Sequence, residues 1–208
     1  MLRDYLRNRY KDNEPILMSE IKIDGISDAN LRQQLKKLTD AGILRRYDTG
    51  VYYFPKITIF RCETQPSRDA VIKAKYLRDG DKLCGYVSGI AFANQLGLTT
   101  QVPAVTEVFT NKATNEYRET TVGKAAVIVR RPKTEINKDN YKALQLMDVL
   151  KDINDMAELP MEETGKRIIQ YMKNSGLSFS MIKPYLTLYP DRMYKNLYEM
   201  GLLDSVLA

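Results

Sequence analysis

Apolar positions over the first 56 residues recur with spacings that predict a series of short elements. Leu2, Tyr5, Leu6 and Arg9 are in register for a helix over residues 2–10, and Asn13-Glu14-Pro15 breaks it. A second apolar-periodic stretch, Ile16 to Ile21, predicts another short helix. Lys22 to Ile26 follows as a connector, with Asp24-Gly25 as its turn signal. Ser27 is suited to cap the next helix, because its hydroxyl can accept a bond from a free backbone N–H in the first turn. Leu31, Leu35 and Leu38 then fall at i, i+4 and i+7, which directs one stripe inward, and Gly42 ends the helix. Ile43 to Tyr47 and Val51 to Phe54 are β-type runs around Asp48-Thr49-Gly50, so a hairpin closed by Pro55 is expected.

Three helices followed by a β-hairpin is the order of a winged helix-turn-helix, expected here over residues 1–56. With the leucine stripe buried and about 100° of rotation per residue, Ala29, Asn30, Arg32, Gln33, Lys36 and Lys37 cover the open face of the third helix, headed by Ser27. Asn, Gln and Arg can read base edges bidentately, Lys meets phosphates, and Ala29 is small enough to allow close approach. Arg45 and Arg46 in the hairpin suit backbone contacts beside the groove. Duplex DNA is therefore the expected partner. Two blander readings stay open at this point: a polar helix face that is only solvated, and a winged helix that docks proteins.

Beyond Pro55 the pattern predicts a second, α+β domain over residues 57–208, with a small sheet and a helical part from about residue 140. Ile57 to Glu63 reads as an alternating β-type run, and Thr64-Gln65-Pro66-Ser67 as a linker or helix entry. A helical pattern runs from Asp69 through Leu77, and Gly80-Asp81 marks a turn. Ser88 is expected to cap a helix from Gly89 to Leu96, ended by Gly97. Strands are expected over Ala104 to Thr110, Arg118 to Val122 and Ala125 to Arg130. Helices follow over Asn140 to Ile153, Met161 to Lys173, Ser178 to Leu186 and Asp191 to roughly Val206, punctuated by Pro160, Gly176 and Pro190.

Charge and composition sharpen this picture in part. Of the net +6, residues 1–56 contribute +3, residues 57–140 +4 and residues 141–208 −1, so a polyanion is best met in the first two thirds. The opening MLRDYLRNRY has no apolar run and no small-residue cleavage site, so no signal peptide is expected. Leu83 to Thr106 carries no charge, but Asn94, Gln95, Gln101, Pro103 and three glycines make it too polar for a membrane span; buried core is the expectation. Cys62 and Cys84 form neither a disulfide framework nor a metal spacing, which suits a reduced, cytoplasmic setting. The chain has no histidine, which removes Ser-His-Asp and Cys-His catalysis and histidine-ligated zinc.

Candidate chemistry in the second part is sparse. Gly85-Tyr86-Val87-Ser88-Gly89 lacks both the P-loop ending and the dinucleotide-binding spacing, and close packing explains its glycines. Glu107, Glu119 and Lys124 would make a metal-dependent nuclease site if they converged; a cross-strand ion pair is the simpler expectation. Arg130, Arg131 and Lys133 form a basic cluster that reads either as a protected sheet edge or as a second phosphate contact. Tyr171, Tyr185, Tyr189, Tyr194 and Tyr198, interleaved with Lys183, Arg192 and Lys195, read as helix-packing rings rather than base-stacking platforms. No cofactor or metal is called for, and an enzyme is not expected.

The segment LTDAGILRRYDTGVYYFP resembles the N-terminal domain of the AbiEi antitoxins of bacterial abortive-infection, type IV toxin–antitoxin systems. GYVSGIAFANQLGLTTQVPAVTEVFTN resembles the start of that family's second domain, and VGKAAVIVRRP its later strands. The resemblance covers residues 1–140. It implies a winged helix that binds inverted repeats in its own promoter and represses the operon, carried over onto Asn30, Arg32, Gln33, Lys36, Lys37, Arg45 and Arg46. It implies a second domain that counters a neighbouring nucleotidyltransferase-like toxin, with no stable complex required. No motif marks the residues for antitoxicity.

Overall fold

The leucine stripe near the start of the chain organises the first of two units seen in a computed structural model, which describes residues 2–202. The first unit runs to Lys75 and takes in Val122–Lys124; the second holds Tyr76–Thr121 and the chain from Ala125 onward. The fold class is α+β, with small sheets and a helical C-terminal part.

In the first unit, α1 (Leu2–Arg9) buries Leu2 and Leu6. The stretch expected as a second helix is instead a strand, β1 (Ile16–Leu17), followed by one 3₁₀ turn, Met18–Glu20. Too few residues lie between Pro15 and the Asp24-Gly25 turn to repay helix nucleation. Ile16 and Leu17 pair antiparallel with Tyr52 and Val51 instead, and both are buried. α2 (Asp28–Asp40) buries Leu31 and Leu35, with Leu38 half-buried. Gly42 adopts a left-handed φ of 72°, which glycine takes without a Cβ clash. β2 (Arg45–Asp48) and β3 (Val51–Tyr53) form the predicted hairpin, bulged between Arg46 and Asp48, and the sheet order is β1-β3-β2. The core joins Leu2, Leu6, Ile16, Ile21, Leu31, Leu35, Leu44 and Phe54.

Ile57 to Glu63 is not one continuous strand. It folds back as β4 (Lys56–Ile57) and β5 (Glu63–Thr64), an antiparallel pair around a tight turn. Asn13, at a positive φ of 59°, ties this hairpin down: its side chain donates to Thr64 and accepts from the Lys56 N–H. α3 (Arg68–Ile72) is capped by Ser67 and continues as a π-helical turn, Lys73–Leu77.

The second unit opens with a small hairpin, β6 (Arg78–Asp79) and β7 (Lys82–Leu83). β8 (Gly85–Ser88) leads into α4 (Gly89–Gln95). The Ser88 hydroxyl makes no cap bond to α4; it is buried, so the expected cap is not formed. β9 (Val105–Thr110), β10 (Tyr117–Val122) and β11 (Ala125–Arg130) complete a four-stranded sheet of order β10-β11-β9-β8. β8 runs antiparallel to β9, whereas β11 runs parallel to it. Gly85 is needed here for close approach: a Cβ would meet the carbonyl oxygens of Tyr76 and Phe109 at 2.5 and 2.6 Å.

α5 (Tyr141–Leu150) buries almost its whole length. The continuous helix expected to Ile153 breaks there, and α6 (Ile153–Met156) follows. α7 (Met161–Ser175) ends at Gly176. α8 (Phe179–Ile182) passes into a 3₁₀ segment, Lys183–Leu188, and α9 (Arg192–Glu199) follows. The end expected for this last helix, near Val206, lies outside the described residues. No helix among the described residues is long and apolar enough to cross a membrane; Leu83 to Thr106 is instead split among β7, β8, α4 and β9.

Leu35 is fully buried at the centre of the first unit's core. Leu35→Ala should cost about 2–5 kcal/mol of stability, the range for cavity-forming core truncations. The check is urea unfolding, with a lower midpoint at little-changed slope for the transition that melts α2.

Candidate nucleic-acid interface

The open face of α2 is built by its caps and its stripe together. Ser27, in extended conformation, accepts a bond from the Asn30 N–H at 3.3 Å, and Asp28 in the first turn complements the helix dipole. Ser27 is therefore occupied in starting the helix. Ala29, Asn30, Arg32, Gln33, Lys36 and Lys37 are all exposed. The Asn30 side-chain oxygen accepts from Gln34 at 3.0 Å, which orients its amide and leaves the NH₂ outward. Arg32, Lys36 and Lys37 have no ion-pair partner among the described residues. The face thus presents three cations and two amide side chains with donors available.

The hairpin arginines differ from this. Arg45 makes a bidentate pair with Glu63, at 2.9 and 2.7 Å, and its guanidinium lies beside Gly42 just past the end of α2. This exposed pair ties β2 to the β4–β5 hairpin and offsets the charge of Arg45. Arg46 is exposed and folds over the turn, donating to the Asp48 carbonyl at 3.3 Å and to Thr49 Oγ1 at 3.4 Å. Asp48 is held below the usual carboxylate range by Lys75 and the Thr49 N–H, against the opposing effect of burial.

The second basic cluster is largely neutralised. Arg130 pairs with Glu107 and lies over the Tyr117 ring, 5.0 Å from its centroid. Arg131 pairs with Glu116 at 3.4 Å and donates to the Thr114 carbonyl. Lys133 is exposed. Arg130 and Tyr117 thus interpose between Glu107 and Glu119: Glu119 accepts from Tyr117, and its strand is separated from that of Glu107 by β11. Two strand spacings amount to about 10 Å, too far for both to hold one metal ion. No cluster of three or more Asp, Glu or Cys able to hold a metal occurs among the described residues.

One polar cluster escaped the sequence reading. Asp148 on α5 is 2% exposed, and it accepts from the Tyr86 hydroxyl at 2.6 Å and from Lys151 at 3.2 Å. Tyr189, also buried, donates to the Leu144 carbonyl at 3.4 Å and borders the same carboxylate. Burial pushes the Tyr86 and Tyr189 hydroxyls far up, so both stay neutral. Every bond within the cluster is internal, so its chemistry is that of a packed polar joint between β8 and α5. Its one sequence signal is a lone charge in the apolar run of residues 143–150. Among the C-terminal tyrosines, Tyr171 packs edge-on against Phe92 and Tyr185 is half-buried, whereas Tyr194 and Tyr198 face outward.

The sequence from Leu6 to Leu177 matches a family described as of unknown function, DUF6088. The chain belongs to this family. The match spans both units of the DUF6088 chain, from the core of α1 through the end of α7. No curated protein matches it.

Burial raises the Asp148 carboxyl above its ordinary value, against the opposing influence of Lys151 and Tyr86 and with a small addition from Glu107. The folded state then binds this proton more tightly than the unfolded chain does. The contribution favours folding at low pH and is lost as pH rises through the folded pKa. Relative to Asp148→Asn, the wild type should therefore gain stability as pH is lowered from about 7 toward about 4, by at most about 1.4 kcal/mol per pH unit. Urea unfolding of both proteins across that range measures the difference.

Proposed function

We propose that this chain is a DNA-binding transcriptional autorepressor and the antitoxin of a bacterial type IV toxin–antitoxin system, acting in the cytoplasm. The observation that carries the DNA-binding half is the exposed α2 face, with Arg32, Lys36 and Lys37 unpaired among the described residues and Asn30 and Gln33 beside them. The surrounding unit supports it. The unit runs helix, strand, 3₁₀ turn, helix and hairpin, with the first strand paired to the last in the order β1-β3-β2, and we read this order as a winged helix. In that reading the 3₁₀ turn is a shortened second helix, α2 enters the major groove, and the β2–β3 hairpin with Arg46 is the wing.

The antitoxin half rests on the likeness of the LTDAGILRRYDTGVYYFP, GYVSGIAFANQLGLTTQVPAVTEVFTN and VGKAAVIVRRP stretches to AbiEi antitoxins. The functional partner is then a nucleotidyltransferase-like toxin encoded beside it, countered without a stable complex. The DNA target is an inverted repeat in the chain's own promoter. In this reading the second unit is not an enzyme and carries no cofactor.

Gel shifts with the region upstream of its own gene, run across a salt series, test the proposal. Lys36→Glu with Lys37→Glu should weaken binding to every sequence and reduce the slope of log affinity against log salt by about two. Gln33→Ala should instead blunt the preference for the upstream sequence over a scrambled one. No binding to any duplex at low salt overturns the proposal.

A further inference from the structure

Among the described residues of the first unit, the β4–β5 hairpin carries the most exposed large apolar side chains. Ile59 is 91% exposed, Phe60 81% and Ile57 67%. Ile59 and Phe60 occupy the two central positions of the turn closed by the Arg61 N–H to Thr58 carbonyl bond, at 2.9 Å. Those positions ordinarily hold Gly, Asn, Asp or Ser. Neither ring nor branch packs on the protein, so no folding gain accounts for them.

Arg61 sharpens the point. It sits at a left-handed φ of 59°, where glycine carries no steric penalty and arginine does. What arginine adds there is an exposed cation next to Phe60. Lys56 adds a second at the root of the hairpin. Neither has an ion-pair partner among the described residues, and the only acid of the hairpin, Glu63, is taken by Arg45. The tip is therefore two apolar side chains flanked by two free positive charges. Its attachment is rigid: Thr64 and Lys56 are bonded to Asn13, and Glu63 grips Arg45 where it passes Gly42, at the Lys36–Lys37 end of α2.

We propose that this hairpin is a DNA wedge, inserting Ile59 and Phe60 between base pairs of the duplex that α2 reads, with Lys56 and Arg61 on the flanking phosphates. The proposal rests on the DNA-binding reading above. Size and charge favour this occupant. A stable interface with a second copy buries about 800 Å² on each side, more than three side chains of one turn supply. A wedge needs only one or two apolar side chains, and the bent duplex it creates meets more protein surface.

The test uses the full chain and a duplex from its own upstream region, with 2-aminopurine placed at successive pyrimidine–purine steps. Wild-type protein should raise the fluorescence at one step as that base unstacks. Ile59→Ser with Phe60→Ser should abolish the rise and weaken binding roughly tenfold, as loss of an aromatic base contact does. Arg61→Gly should raise the urea midpoint of the free protein while lowering the salt slope by about one. A duplex bound without any fluorescence change overturns the wedge and leaves the DNA-binding reading standing. A rise that persists in the serine variant also overturns it, as does a defect confined to self-association or to binding anionic vesicles. Failure to bind any duplex at low salt overturns the underlying reading, and the wedge falls with it.

Discussion

Burial of Leu31 and Leu35 against Leu6, Ile16, Leu44 and Phe54 sets the geometry of the first unit. Each of these side chains contributes about 1.5–3 kcal/mol by leaving water, more than any exposed ion pair on the same unit supplies. The helix can satisfy that demand in one rotational setting only. Once it is set, Asn30, Arg32, Gln33, Lys36 and Lys37 face solvent by necessity. The same packing brings the end of α2 against the start of β2, so that Arg45 passes Gly42 on its way to Glu63. The proposed reading surface is thus a by-product of the core, and the hairpin beyond it is held by ion pairing and by Asn13 rather than by apolar burial.

The second unit is organised differently. Its sheet places β9 between an antiparallel and a parallel neighbour, and α5 lies against it with a buried carboxylate. The Asp148 cluster is internally satisfied, as are Glu107 with Arg130 and Arg131 with Glu116. Of the charges that read as a nuclease site or a second phosphate patch, Glu107, Arg130 and Arg131 are thereby matched within the unit, while Lys133 stays exposed.

Strong local periodicity is what made parts of this fold readable in the sequence. The leucine stripe, the Asp48-Thr49-Gly50 hairpin and the β-branched runs of β9 and β11 each contain enough residues for a pattern to exist. β1 does not: two residues have no period, and Ile16-Leu17 is a strand only because Val51 and Tyr52, distant in sequence, lie beside it. Ile57 to Glu63 alternates like a strand, yet the turn bonds of Thr58 fold it in half. The open face of α2 follows from the stripe, so its residues were readable too. The pairing of Arg45 with Glu63 was not, because it depends on where a hairpin folds back. The Asp148 cluster is unreadable for the same reason: its two tyrosines come from β8 and from the end of the Lys183–Leu188 segment, both far from it in sequence.

Hydrogen exchange of the full chain, with and without a duplex from its own upstream region, probes the central claim most directly. If the leucine-stripe helix is the reading element, added DNA should slow exchange over residues 27–37 and leave α5 to α9 unchanged. Protection confined to the second unit, with α2 exchanging as it does in the free protein, would contradict the account.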